Sequence, residues 1–315
     1  MQVVVVGATG YVGSTVLRHC LADPRISRVH VLTRRPLGDA EAPAGSPASG
    51  KLSVIIKTDW MAYDDELLHA LRHARACLWS VPTPTTSQAR REEGDGDAEE
   101  GEEEEEEEEE EEAPRTPSRN KGEPLTADRC IGGRHTQTSR WPTPEEYLRV
   151  TVDYTVAAAA AFTRMMGLAG PPSAAPFRFV YCSGDAAELV YNRSLCIMGP
   201  TRRAKGCAER NIFDMADGSH GALESIAVRP CGIYPRAQTP WTWFLTTLVL
   251  PTCEVDELAA SMVGLAKNGP GAAVAAGAGD SGRIITHRRI RSMGRELLDK
   301  QEAEQAEQAA GASAM

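Results

Sequence analysis

Gln2–Val6 is an unbroken β-branched apolar run without polar alternation. Such a run predicts a parallel strand buried on both faces. After it, Val12, Val16, Leu17 and Leu21 recur at helical spacing, and Val29–Leu32 predicts a second strand. Leu52–Lys57 predicts a third, Asp64–His73 a short helix with Leu67, Leu68 and Leu71 inward, and Ala76–Val81 a fourth strand. Periodicity then stops between Pro84 and Arg140. It resumes at Thr143-Pro144-Glu145-Glu146, a capping-box pattern with proline at the first helical position. That helix is expected to run to about Met166. Phe177–Cys182 and Ser225–Val228 read as the fifth and sixth strands, with a helix from about Thr201 to Ala216 between them. Val255–Lys267 is an amphipathic helix, Ile284–Ile285 a last short strand, and a charged helix begins near Arg289. Alternating strands and helices predict an α/β fold, a doubly wound parallel sheet covered on both faces, with a small C-terminal lobe.

The junction of the first strand and helix carries the chemistry. Gly7-Ala8-Thr9-Gly10-Tyr11-Val12-Gly13 forms a G-x-x-G-x-x-G loop inside a βαβ unit, the context in which such a loop binds a dinucleotide. Gly7 permits the turn off the strand, Gly10 the approach of a diphosphate, and Gly13 close packing of helix on strand. The unpaired N–H groups and dipole of the helix start favour phosphate. The second strand ends at Thr33-Arg34-Arg35, where an NAD site would carry a carboxylate for the ribose 2′-OH. Guanidinium groups there suit the 2′-phosphate of NADP, so NADP is expected over NAD. Asp59 and Trp60, after the third strand, are candidates for the adenine, with a plain Asp-capped turn as the alternative for Asp59. Ser80 leaves the fourth strand beside the dinucleotide path.

Composition changes the picture in one place. The 315 residues carry a net charge of −10, but 17 of the 44 acids lie between Glu92 and Glu112, including an unbroken run of 11 glutamates. The remaining chain holds 27 acids against 34 bases, mildly basic as a phosphate-rich ligand would favour. At such density like charges repel and too little apolar surface exists to offset ordering entropy, so residues 84–140 read as a disordered acidic insertion. They serve as an acidic patch for a basic partner or are a tolerated insertion. The domain reading is therefore 1–83 with 141–285 as a dinucleotide-binding unit, its C-terminal lobe starting near 231, and 286–315 as a terminal helix and tail.

Eight cysteines without a C-x-x-C pair or a histidine cluster indicate reduced thiols and no metal site. The start of the chain lacks the basic and cleavage regions of a signal peptide, and no apolar stretch has the length of a membrane span. A cytoplasmic or nuclear protein is expected, with neither membrane nor direct nucleic-acid binding.

GATGYVGSTVLRHCL, LTRRP, FVYCSG, RAKGCAERNIF, AVRPCGIYP and VDELAASMVGLAKNG, in that order, resemble the atypical short-chain dehydrogenase/reductases, the NmrA-like and epimerase-like NAD(P)-binding group, over roughly Met1–Pro82 and Thr143–Asn268. The resemblance implies the doubly wound fold and an NADP or NAD cofactor. It also implies a Tyr-x-x-x-Lys pair with a serine. The serine falls on Ser183 and the lysine on Lys205, which would also hold the nicotinamide ribose. The tyrosine position holds Thr201, whose hydroxyl is too weak an acid to replace a phenol. Tyr191 lies out of helical register. Thr151 stands where many members carry an active-site asparagine. Arg229-Pro230 reads as structural and Asp256-Glu257 as a helix start. Two functions remain open: a reductase acting on a small carbonyl or sugar-nucleotide substrate with another proton donor, or a non-catalytic dinucleotide sensor acting through a protein partner. An interaction protein working through its acidic run is a third class.

Overall fold

The computed structural model describes residues 1–38, 50–80, 143–168, 175–190, 199–234, 251–271 and 282–313. The acidic insertion and Tyr191 lie outside them. Seven parallel strands form one sheet: β1 (Gln2–Val6), β2 (Arg28–Thr33), β3 (Leu52–Ile56), β4 (Ala74–Trp79), β5 (Phe177–Cys182), β6 (Leu223–Arg229) and β9 (Ile284–Thr286). Their order is β3-β2-β1-β4-β5-β6-β9. The reversal between β1 and β4 opens a crevice at their carboxyl ends, where open α/β sheets bind ligands.

The helices cover the two faces unequally. On one side α1 (Tyr11–Ala22), α6 (Val255–Asn268) and α7 (His287–Ser313) pack on Val3, Val5, Val29, Val31, Leu78 and Val228. On the other, α2 (Asp65–Leu71), α4 (Tyr154–Leu168) and α5 (Gly199–Gly218) cover Val4, Val6, Leu32, Trp79, Phe179 and Tyr181. Residues 3 to 6 of β1 therefore alternate between two cores, which is why that strand has no polar position. Burying each such side chain contributes about 1.5–3 kcal/mol.

Strand and helix types follow the apolar pattern; the boundaries move. The fourth strand is Ala74–Trp79, not Ala76–Val81, because pairing with β1 draws in Ala74. Asp64 caps α2 by accepting from the Leu67 amide at 2.7 Å. The helix expected over 143–166 is broken. Thr143 caps α3 (Pro144–Leu148), its Oγ1 accepting from the Glu146 amide at 3.2 Å, and a π turn at Arg149–Asp153 precedes α4. Two short strands went unseen in the sequence. β7 (Gly232–Tyr234) and β8 (Thr252–Glu254) pair in parallel as a separate sheet. Three residues each are too few to show a period, and only their mutual pairing makes them strands.

Asp256 and Glu257 open α6 within a capping box built by Glu254 and Glu257. Asp256 accepts from Arg18 at 2.5 Å, and Glu257 from Arg295 at 2.5 Å. The six cysteines among the described residues are free thiols, three of them buried. Among the described residues no helix is long and apolar enough to cross a membrane.

Candidate dinucleotide site

The glycine loop links the end of β1 to the start of α1 with almost no spare volume. Gly7 has φ +80°, and a Cβ there would stand 2.4 Å from the Ser80 carbonyl oxygen. A Cβ on Gly13 would stand 2.0 Å from the Gly7 oxygen. Both positions exclude any side chain on packing grounds alone. At Gly10 a Cβ would lie 3.2 Å from the Gly7 oxygen, so the protein itself tolerates substitution there better. Gly10 is the extended N-cap of α1, its amide donating to the Gly7 carbonyl at 2.8 Å, and no side chain caps the helix. The loop therefore presents backbone N–H groups and a helix dipole at the carboxyl ends of β1 and β4.

Beside it lies a shallow, open cleft lined by Gly7, Thr9, Leu32, Thr33, Arg34, Arg35 and Trp60. Residues from three regions of the sequence thus line one surface. Thr33 Oγ1 donates to the Arg35 carbonyl at 2.9 Å and fixes the turn that carries the two arginines. Burial lowers the Arg34 pKa, opposed by Tyr154 and Glu146 nearby; the guanidinium remains a cation at neutral pH. Trp60 is buried, stacked on Tyr154 at 6.4 Å between centroids and edge-on to Trp79 at 5.9 Å. Asp59 turns away from this wall into its own turn, Oδ1 accepting from the Met61 amide at 2.8 Å. Ser80 is buried, and its amide donates to the Val6 carbonyl at 3.2 Å.

Ser183, Lys205 and Thr201 lie two strands away from the glycine loop. Ser183 follows β5; its Oγ is buried and has no hydrogen-bond partner among the described residues. Lys205 is buried on α5, and its Nζ donates to the Ser183 carbonyl at 3.0 Å. Thr201 stands one turn earlier on the same helix, also buried. Thr151 lies in the π turn and is buried.

Three features here escaped the sequence reading. Burial raises the Tyr147 pKa, and the nearby hydroxyls of Thr151 and Thr201 oppose the rise. Only the crossing of α3 and α5 brings 147 and 201 together, and no local signal announces it. Glu209, fully buried, accepts two hydrogen bonds from Arg229 Nε at 2.9 and 3.2 Å, which accounts for the arginine before Pro230. The loop after β5 is held by two further cations of α5, Arg202 and Arg210. Among the described residues no group of three or more His, Cys, Asp or Glu side chains could hold a metal ion.

No protein-family model matches the chain. Over 84 residues it is 32% identical to leucinostatins biosynthesis cluster protein T of Purpureocillium lilacinum, a match covering 27% of this chain and 29% of that protein, so the chain spans under a third of the length of this curated relative. Among solved structures, MoeE5 in complex with UDP-glucose and NAD superposes over 94% of this chain and 82% of its own, with a TM-score of 0.50 and 17% identity. MoeE5 in complex with UDP-glucuronic acid and NAD gives the same values. The chain shares with MoeE5 the doubly wound α/β fold described above. In this fold the crevice at β1 and β4 and the Ser183–Lys205 region lie along one edge of one sheet.

Proposed function

We propose that the protein binds a nicotinamide dinucleotide, NADP in preference to NAD, as an oxidoreductase-like member of the atypical short-chain dehydrogenase group with a degenerate Tyr-x-x-x-Lys site. The observation that carries this reading is the meeting of Gly7 and Thr9 of the glycine loop with the Thr33–Arg35 turn in one cleft. The residues suit the group: backbone N–H donors and a helix start for the diphosphate, and cations for a 2′-phosphate. Gly7, Thr9, Gly10, Tyr11, Val12 and Gly13 would hold the diphosphate, Thr33, Arg34 and Arg35 the phosphorylated ribose, Trp60 the wall beside the base, Ser80 the path across β4, and Lys205 the second ribose. Asp59, engaged in its own turn, has the weakest claim to a contact. Such a cofactor, when bound, supplies hydride transfer. MoeE5, with which the fold is shared, was solved with NAD.

A second reading, a non-catalytic dinucleotide sensor acting through a protein partner, is favoured by Thr201. A positioned acid contributes about 10²–10⁴-fold to such reactions, and a threonine hydroxyl supplies none near neutral pH. Lys205 can hold a ribose without moving a proton, and Ser183 can orient an oxygen by donating a hydrogen bond without giving up its proton. Calorimetry with NADP, NADPH, NAD and NADH tests the binding reading, with tightest binding expected for the phosphorylated pair. Absence of binding by all four overturns it. NADPH oxidation with carbonyl substrates separates the two functions; turnover very slow or absent despite tight binding is the expected result.

A further inference from the structure

The segment Ser183–Val190 has neither helix nor strand of its own, yet it is tied down along its length. Its start extends the sheet: the Ser183 amide donates to the Val228 carbonyl at 2.8 Å and the Asp185 amide to the Pro230 carbonyl at 2.9 Å. Its outer side is held by α5. Lys205 Nζ donates to the Ser183 carbonyl at 3.0 Å, Arg202 Nε to the Ala186 carbonyl at 2.8 Å, and Arg210 to the Leu189 carbonyl. Three cations of one helix thus meet every third carbonyl of one loop. The helix lies so close that a Cβ on Gly206 would stand 1.8 Å from the Glu188 oxygen, and the Glu188 amide returns a hydrogen bond to the Arg202 carbonyl at 2.9 Å.

The place of this loop gives the clamp a use. β5 is the strand next to β4, and Ser80, directly after β4, lies against the glycine loop. A dinucleotide with its diphosphate at Gly7–Gly13 and its adenosine toward Thr33–Arg35 must extend its other half across β4 to the end of β5, where Ser183 begins the loop. We infer that Arg202 and Arg210 are positioning residues for the nicotinamide half of the cleft, acting through the loop Ser183–Val190 without touching the cofactor. The inference rests on the dinucleotide reading above. It differs from that reading in giving work to two arginines on the partly exposed side of α5, remote from the glycine loop.

The test uses the full chain, two ligands and a structural readout. Arg202→Ala and Arg210→Ala are titrated by calorimetry with NADPH and with adenosine 2′,5′-bisphosphate, which carries only the half that meets Arg34. Amide exchange of residues 183–190 is followed alongside. Each variant is expected to weaken NADPH about three- to tenfold, the worth of one hydrogen bond. The bisphosphate should bind unchanged, and exchange in the loop should accelerate. Arg202→Lys, which retains a donor for the Ala186 carbonyl, should restore most of the affinity. Unmoved NADPH affinity, equal losses for both ligands, or unchanged loop exchange overturns the inference while leaving the binding reading in place. Wild-type protein that binds neither ligand overturns both.

Discussion

The two halves of the proposed dinucleotide path are built by different means. The half at β1 and β2 joins a backbone cradle, the glycine turn and the start of α1, to the side chains of Arg34, Arg35 and Trp60. The half at β5 is made of side chains that cross between elements: Lys205, Arg202 and Arg210 to the loop after β5, Arg229 to Glu209, Tyr147 to Thr201. The first half contains every feature a diphosphate requires. The second holds Ser183, Lys205 and Thr201, all buried. A backbone cradle for a diphosphate survives most changes of side chain that leave its glycines alone. A side-chain-built subsite is altered by one substitution. Binding and proton transfer can therefore be lost separately in this fold.

The largest expected effect breaks the first half. Gly13→Val, with its Cβ driven into the Gly7 carbonyl, should cost roughly 3 kcal/mol or more and leave little folded protein. Gly10→Val should fold, with near-native circular dichroism and melting temperature, and lose dinucleotide binding in calorimetry. A Gly10 variant that unfolds like the Gly13 variant would show that the loop serves packing alone.

Next in size is the arginine turn. Arg34→Ala removes a charge-assisted contact worth about 1.5–3 kcal/mol, so NADP should weaken roughly ten- to a hundredfold and NAD much less. Equal losses for the two cofactors would remove the 2′-phosphate from this end of the cleft.

In the second half Lys205→Ala is expected to weaken the cofactor several-fold, about 1 kcal/mol for one hydrogen bond, and to free the Ser183 carbonyl. Thr201→Tyr should gain measurable NADPH oxidation only if its phenol reaches the position that Tyr147 now approaches. A gain in Thr201→Tyr that persists with Phe at 147 would place the new phenol, not Tyr147, at the reacting oxygen. Brisk turnover by the unmodified chain, insensitive to changes at Ser183 and Lys205, would overturn the degenerate-site reading.

The smallest effect is one of pH. His30 on β2 and His287 at the start of α7 have pKa values lowered, chiefly by burial. The unfolded chain takes up these protons first, near pH 6.5, so the stability they contribute is present above that value and is lost as the pH falls through it. The melting temperature should drop by about 2–4 °C between pH 7.5 and 5.5. Comparing His30→Gln with His287→Gln shows which half supplies the drop. A melting temperature independent of pH in this range would count against both.

Much of this molecule is legible in single segments. The run Gln2–Val6 needs two apolar neighbours and so belongs in the middle of a covered sheet. Gly7, Gly10 and Gly13 state their spacing directly, because a turn and a close approach are properties of backbone within one loop. The ends of strands are less legible: β4 gains Ala74 from its pairing with β1, and β7 and β8 are too short to carry a period. The π turn at Arg149–Asp153 interrupts a sequence that reads as one continuous helix.

What the sequence by itself determined was the alternation of strands and helices and the glycine loop with its arginine turn, since those depend on residues within a few positions of one another. What only the tertiary structure decided was the set of contacts around the carboxyl end of β5. Lys205, Arg202 and Arg210 meet carbonyls 16 to 22 residues away, and Tyr147 and Thr201 belong to different helices. A hydrogen bond between such residues forms only after the sheet has set the distance between the elements that carry them.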